Sequence, residues 1–151
     1  MIISIGICAY NEEKNIGRLL EAIMSQLLEK ASIKEIFVIS SGSTDNTEAI
    51  VLRYAERDSH IKLIRQPTRR GKASALNEFL KHASGELCLL VSADVLPAED
   101  AVEKMCLAFL DDTVGMVGGQ VVPLNSRDNF MGFAGHMLWG MHNQIALKHP
   151  K

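Results

Sequence analysis

The sequence predicts an α/β fold, with a mostly parallel sheet flanked by helices. Three observations carry this reading. Brief, largely apolar runs at Ile2–Ala9, Ile36–Ile39, Ile61–Ile64 and Glu86–Val91 alternate with stretches whose apolar residues recur at helical spacing. The first two runs are the most continuously apolar, as in strands buried on both faces. Polar clusters, Tyr10-Asn11-Glu12-Glu13, Ser40–Asp45 and Ser92-Ala93-Asp94, follow three of the runs, and parallel sheets bind ligands beyond the carboxyl ends of their strands.

The elements follow in order. After the first strand, Asn11 is placed to cap a helix in which Ile16, Leu19, Leu20, Ile23, Met24, Leu27 and Leu28 repeat at helical spacing. Ile36–Ile39 is the second strand. The Ser/Gly turn ends it, and Asp45 or Thr44 caps a helix over roughly 46–57 with Ile50, Val51 and Tyr54 inward. Ile61–Ile64 is a third strand. A basic loop and a helix from Lys72 to His82 come next, with Ala73, Leu76, Leu80 and Ala83 on its inner side and Gly85 as a left-handed C-cap. Beyond the fourth strand, Pro97 opens a helix near 98–110, with Val102, Met105, Cys106 and Phe109 inward. Val114–Val122 reads as a fifth strand, and 128–147 as a helix rich in Met, Gly and aromatics.

At 151 residues the chain suits one domain, 1–151, long enough to enclose a core. A net charge of −2 gives no global reason to bind nucleic acid or an anionic membrane, although Lys62, Arg65, Arg69, Arg70 and Lys72 crowd one stretch. Cys8, Cys88 and Cys106 lie in apolar stretches without CxxC spacing. They read as buried thiols of a reducing compartment, not as a zinc site. The N-terminus has no basic n-region and reads as a strand, not a signal peptide. No run approaches the roughly 20 apolar residues of a membrane-spanning helix. A cytoplasmic domain is expected, with membrane association of a longer chain on the cytoplasmic side left open.

Motifs narrow the chemistry. The absence of GxGxxG after the first strand and of GxxxxGK[ST] argues against a dinucleotide dehydrogenase and a P-loop NTPase. There is no GxSxG elbow. His82, His136, His142 and His149 lack metal-ligand spacing; positions 136 and 142 stand about 240° apart on a helix at roughly 100° per residue. Four segments do match a pattern: SIGICAYNEEKNIGRLLEAI, VISSGSTDNT, RRGKASALN and GELCLLVSADVLPAED. In this order and spacing, over residues 3–110, they resemble the successive motifs of family 2 glycosyltransferases, the second resembling Asp-Asp-Gly-Ser-Thr-Asp-x-Thr and the last the strand that ends in Asp-x-Asp.

The resemblance implies a GT-A fold. It implies a nucleoside diphosphate sugar donor bound by the first half, usually with Mg²⁺ or Mn²⁺. The implied reaction transfers the sugar, with inversion, to a hydroxyl of a glycan, lipid or protein acceptor. It places Ala9, Tyr10, Asn11 and Glu13 beside base and ribose, and Ser41 where an Asp usually reads the base. Gly71 and Lys72 would border the nucleotide, and Ser92 and Ala93 occupy the first two positions of Asp-x-Asp, with Asp94 as the metal carboxylate. The residue types suit these roles. Tyr10 offers a flat face for stacking. Asp94 is a hard oxygen ligand, and Mg²⁺ commonly takes one or two carboxylates plus substrate phosphates. The basic loop 69–72 would add positive charge near a departing diphosphate.

Two departures bear on that chemistry. Ser41 and Ser92 stand where carboxylates are usual, and each offers only a neutral hydrogen bond. A degenerate, non-catalytic nucleotide-sugar-binding module is therefore the alternative. Cys8, where proline is frequent, reads as a packing change. A nucleotidyltransferase would carry a Gly-rich basic loop after the first strand, which CAYNEEKN does not supply. The family's catalytic base lies in a later segment. Asp111, Asp112 and Asp128 read as turn residues, so the base is unassigned and the chain reads as the donor-binding part of a longer enzyme. Phe130, Phe133, Met137, Leu138, Trp139 and Met141 are too many apolar groups for one narrow stripe. They fit burial against other parts of the protein, a membrane or acceptor-lipid contact, or a homodimer contact through 130–147. Taken singly, Ser40–Asp45 fits a turn with its cap, Asp94 a helix entry, and Glu12 and Glu13 the positive end of a helix.

Overall fold

The computed structural model describes residues 1–148. His149 lies outside the described residues. The chain groups into two compact units, Met1–Gly115 and a second from Met116 onward. In the first, strands β1 (Ile2–Ala9), β2 (Ser32–Ser41), β3 (Ile61–Gln66) and β4 (Leu87–Ser92) form a sheet in the order β3-β2-β1-β4. Every pairing is parallel. The α/β reading holds, and β2 and β3 run longer than their apolar cores because neighbouring strands continue to pair with their polar ends.

Both faces of the central strands are covered. Ile3, Ile5 and Ile7 of β1 pack with Ile36 and Val38 of β2 against helix α1 (Ile16–Met24), helix α2 (Thr47–Ala55) and helix α4 (Ala101–Leu107). Ile16, Leu19, Leu20 and Ile23 line the inner side of α1, and each such fully buried side chain contributes roughly 1.5–3 kcal/mol. On the opposite face, helix α3 (Gly71–His82) sets Ala75 and Phe79 against Phe37 and Ile39. Gly6 makes this approach possible, since a Cβ there would stand 2.6 Å from the Phe79 ring.

Several expected details change. Helix α1 stops at Met24 although the apolar spacing continues to Leu28, because the next residues serve α4 instead. Gln26 donates to the Ala98 carbonyl at 2.7 Å and accepts from the Val102 N–H at 3.0 Å, while the Leu27 N–H donates to the Glu99 carbonyl at 2.8 Å. Glu103 accepts from the N–H groups of Glu29 and Lys30 and ties the same junction. Helix α4 therefore begins at Ala101, not at Pro97. Asn11 does not cap α1; Asn15 precedes it, and Asn11 bonds elsewhere. The buried side of α3 is Ala75–Phe79, one position round from Leu76 and Leu80, and Leu80 is exposed. Gly85 has no positive φ. It is small because a Cβ would meet the Ser4 nitrogen at 2.6 Å, where the chain crosses the start of β1.

The expected fifth strand at Val114–Val122 does not form. Met116 and Val122 are exposed and a Cβ on Gly115 or Gly118 would meet nothing, so the apolar pattern has no surface to bury it. In the second unit, helix α5 (Phe130–Lys148) forms as expected. Its Phe130, Phe133, Met137, Leu138 and Met141 side chains are largely exposed. Cys106 is buried as expected and Cys8 partly so, but Cys88 is exposed, because it lies on the uncovered face of β4 beside exposed Leu90. No described helix is long and apolar enough to cross a membrane.

A buried carboxylate closes the amino end of the sheet. Glu35 Oε1 accepts from Ser4 Oγ, Ser84 N–H and Ser84 Oγ, each at 2.8 Å, and Oε2 faces Lys62 Nζ at 3.4 Å. These bonds hold the α3–β4 connection onto β1 and β2. Burial alone would raise the Glu35 pKa, but the bonds from Ser4, Ser84 and Lys62 together outweigh it and hold the group at about 2 against 4.5. A shift of that size corresponds to about 3 kcal/mol, and solvent screening near Lys62 reduces it to about 1–2 kcal/mol. The folded pKa lies below the unfolded one, so this stability is complete above pH 4.5 and is lost as pH falls toward 2. Glu35→Gln is expected to lower stability by about 1–2 kcal/mol at neutral pH and to flatten that acid loss, as read from denaturant midpoints across the pH range.

Candidate functional site

The carboxyl ends of β1, β2 and β4 open into a cleft of about 290 Å³. Ala9, Tyr10, Ser41, Gly71, Lys72, Ser92, Ala93 and Asp94 line it. The parallel register explains the convergence: Cys8 lies opposite Ser92, and Ala9 opposite Ser40. Strands that end level with one another leave their following turns on one rim.

The turn after β2 is built around Gly42, whose φ of +73° favours glycine and whose Cβ would fall 2.5 Å from the Arg69 nitrogen. That close contact brings the basic loop beside the turn. Gly71, at φ +80°, then starts α3 at the cleft's edge, where the first N–H groups and the dipole bring partial positive charge.

Asn11 and Glu13 do not line the cleft; they lace the β1–α1 turn to the β2–α2 turn. Asn11, itself at φ +54°, accepts from the Thr44 N–H at 2.8 Å, and its own N–H donates to Ser43 Oγ at 3.2 Å. Glu13 accepts from the N–H and side-chain amide of Asn46 at 3.1 and 2.9 Å. Asp45 accepts from the Glu13 N–H with one oxygen and from the Thr47 N–H with the other, at 3.1 and 3.0 Å. The second of these bonds serves the start of α2, although the N-cap position is Asn46 and not Asp45 or Thr44 as expected. Burial would raise the Asp45 pKa, but the bonds from Thr47 and Glu13 pull it below its ordinary value. Thr47 completes the lace by accepting from the Glu12 N–H at 2.8 Å.

Ser41 is buried and its hydroxyl is engaged, donating to Gln66 Oε1 at 2.8 Å and accepting from the Arg70 N–H at 3.0 Å, with one lone pair left over. Gln66 in turn donates to Ser74 at 3.1 Å. Tyr10 is partly exposed, and the Arg69 guanidinium lies 4.1 Å from its ring centroid, a cation–π contact. Lys72 Nζ donates to Ser92 Oγ at 2.8 Å. Burial pushes the Cys8 thiol pKa up, and the nearby charge of Lys72 opposes it. Asp94 is exposed at the cleft's mouth. Among the described residues no group of three or more His, Cys, Asp or Glu side chains gathers. Asp94 thus offers one hard oxygen ligand, which suits a Mg²⁺ or Mn²⁺ ion completed by substrate phosphates and water.

The basic stretch divides by role. Lys62 pairs with Glu35 and Arg65 with Glu48, whereas Arg69 and Lys72 turn to the cleft. Arg69 belongs to the basic loop 69–72 expected near a diphosphate, whereas sequence reasoning did not assign Glu12 or Gln66 to the site. The Gln66 contact follows from its position opposite Ser41 in the β2–β3 ladder. Among the late carboxylates, Asp111 accepts from Thr113 and Asp128 from Ser126, so both serve local turns as expected.

The parallel α/β sheet with a cleft across its strand ends fits the GT-A class of folds, to which its solved structural neighbours belong. The chain belongs to the family described as Glycosyl transferase family 2, whose model matches residues 4–150. It is 44% identical over 92 residues to dolichyl-phosphate beta-glucosyltransferase ALG5D of Trichomonas vaginalis, covering 57% of this chain and 28% of that protein. The solved structure of mannosyltransferase PcManGT from Pyrobaculum calidifontis, in complex with GDP-Man and Mn²⁺, superposes with a TM-score of 0.67 at 36% identity, covering 75% of this chain and 33% of that one. TarS 1-349 of S. aureus in complex with UDP-GlcNAc gives 0.65 at 28% identity, covering 84% and 42%. The chain therefore spans between 28% and 42% of the length of these relatives.

Gly42→Ala tests the geometry of the rim. It forces a Cβ onto Arg69 at a φ that alanine resists, and is expected to cost about 2–4 kcal/mol of unfolding free energy in urea titration.

Proposed function

We propose that this chain is the donor-binding part of an inverting glycosyltransferase that moves a sugar from a nucleoside diphosphate sugar to an acceptor hydroxyl. The single observation that carries the reading is the convergence of Ala9, Tyr10, Ser41, Gly71, Lys72, Ser92, Ala93 and Asp94 on one cleft. The GDP-Man and Mn²⁺ bound in PcManGT and the UDP-GlcNAc in TarS support it.

In this reading the base lies against Tyr10, sharing the aromatic ring with Arg69. Ser41 offers its remaining acceptor capacity to the base edge, since one lone pair is taken by the Arg70 N–H. Arg69 and Lys72 face the diphosphate and offset the charge that builds on it as the glycosidic bond breaks. A divalent ion held by Asp94 would supply Lewis-acid stabilisation of the same leaving group. The catalytic base belongs to the acceptor side and is unassigned. The exposed apolar side chains of α5 support cover by further protein, in the longer enzyme or in a homodimer through 130–147. The free thiols support a cytoplasmic setting, with membrane association of the longer protein on that side.

One observation favours a second reading, a non-catalytic nucleotide-sugar-binding module: the Ser41 hydroxyl is already bonded to Gln66 and Arg70. The two readings divide on turnover. A longer chain that binds donor and releases nucleoside diphosphate on adding acceptor supports the enzyme; donor binding with no release supports the module.

Calorimetric titration with UDP, GDP and their sugar conjugates, with and without Mn²⁺, tests the donor cleft. Asp94→Ala is expected to weaken the Mn²⁺-supported binding by at least about tenfold. Equal affinities in the two proteins would remove Asp94 from the site.

A further inference from the structure

Lys72 stands at the start of α3 and reaches back across the strand ends to Ser92. Its ammonium lies where β1 and β4 finish together, beside Cys8 and Ser92, which are opposite one another in the ladder. Among the described residues Lys72 forms no ion pair, whereas Lys62, Arg65, Lys81 and Lys104 each do. A serine hydroxyl therefore holds the ammonium in place without neutralising it. A hydroxyl can accept this bond and keep its own proton, so the full positive charge remains directed into the cleft. Arg69, on the Tyr10 ring, adds a second cation on the same lining. The facing carboxylates of the lining are Glu12 and Asp94. Glu12 is engaged by the Asn15 amide at 2.8 Å, which leaves Asp94 as the one unengaged carboxylate among the lining residues described.

We propose that Lys72, positioned by the neutral Ser92, is the cleft's resident counter-charge for a diphosphate, so that a nucleoside diphosphate binds here without a divalent ion. This rests on the donor-cleft reading. A carboxylate at position 92 would sit within bonding distance of the ammonium, neutralise it, and add a second negative charge near Asp94. Diphosphate binding would then require a metal ion to overcome the repulsion. Serine at 92 thus sets how strongly this cleft depends on a metal, and Lys72 is the group through which it acts.

Calorimetry of UDP and GDP with this chain, in EDTA and in Mn²⁺, tests the proposal, with melting curves to confirm that each variant folds. Wild type is expected to bind in EDTA. Lys72→Met should weaken that binding by at least about tenfold, and Lys72→Arg should restore most of it. Ser92→Asp should lose binding in EDTA and regain it with Mn²⁺. The inference is overturned if Lys72→Met or Ser92→Asp binds in EDTA as wild type does. It is also overturned if folded wild type binds only with Mn²⁺, which leaves the donor cleft standing. No binding under either condition overturns both.

Discussion

The cleft depends on the lacing of two turns. β1 and β2 end in register, and the residues after each are bonded to those after the other: Asn11 to Thr44, Glu13 to Asn46, Asp45 to the Glu13 N–H, and Thr47 to the Glu12 N–H. Each bond satisfies a backbone N–H that a loop would otherwise leave to water, and charged acceptors make several of them stronger than neutral bonds. The consequence is positional. With both turns fixed, Ser41 and Tyr10 stand on one rim, Gly42 can meet the backbone of Arg69, and α3 begins where Lys72 reaches Ser92. A cluster of hydroxyls and carboxylates that looks like ligand chemistry is thus mostly scaffold, and the cleft is lined by residues that the lace holds still.

Much of this was legible in the sequence. The strands were, because consecutive apolar residues bounded by polar turns have few other uses, and the strand-end clusters were, because parallel sheets collect sites there. What escaped was settled by partners remote in sequence. Leu27 and Leu28 continue the spacing of α1, yet the Gln26 amide is taken by Ala98 and Val102 and ends the helix. Gly85 looks like a helix cap but is small because it crosses Ser4. Val114–Val122 has strand-like residues with no face to bury them.

The site shows the same division. Ala9, Tyr10, Ser41, Gly71, Lys72, Ser92, Ala93 and Asp94 line one cleft, whereas the Asn11 and Glu13 side chains bond the neighbouring turn. Gln66 carried no local signal, because its importance comes from lying opposite Ser41; the basic loop pointed to Arg69, but not to its place across the Tyr10 ring. The two serines share a physical theme. Each exchanges a charge for a neutral hydroxyl that bonds a neighbour already in place, Gln66 for Ser41 and Lys72 for Ser92. The cleft is left less negative than one lined by carboxylates at these positions.

The most direct measurement is an amide chemical-shift map of the ¹⁵N-labelled chain titrated with UDP and GDP sugars in Mg²⁺. The account predicts perturbations concentrated at Ala9, Tyr10, Ser41, Gly71, Lys72 and Ser92 through Asp94, with Asn46 and Thr47 of the lace little changed. Perturbations centred instead on the opposite end of the sheet, around Ile33, Asp58 and His60, would contradict it.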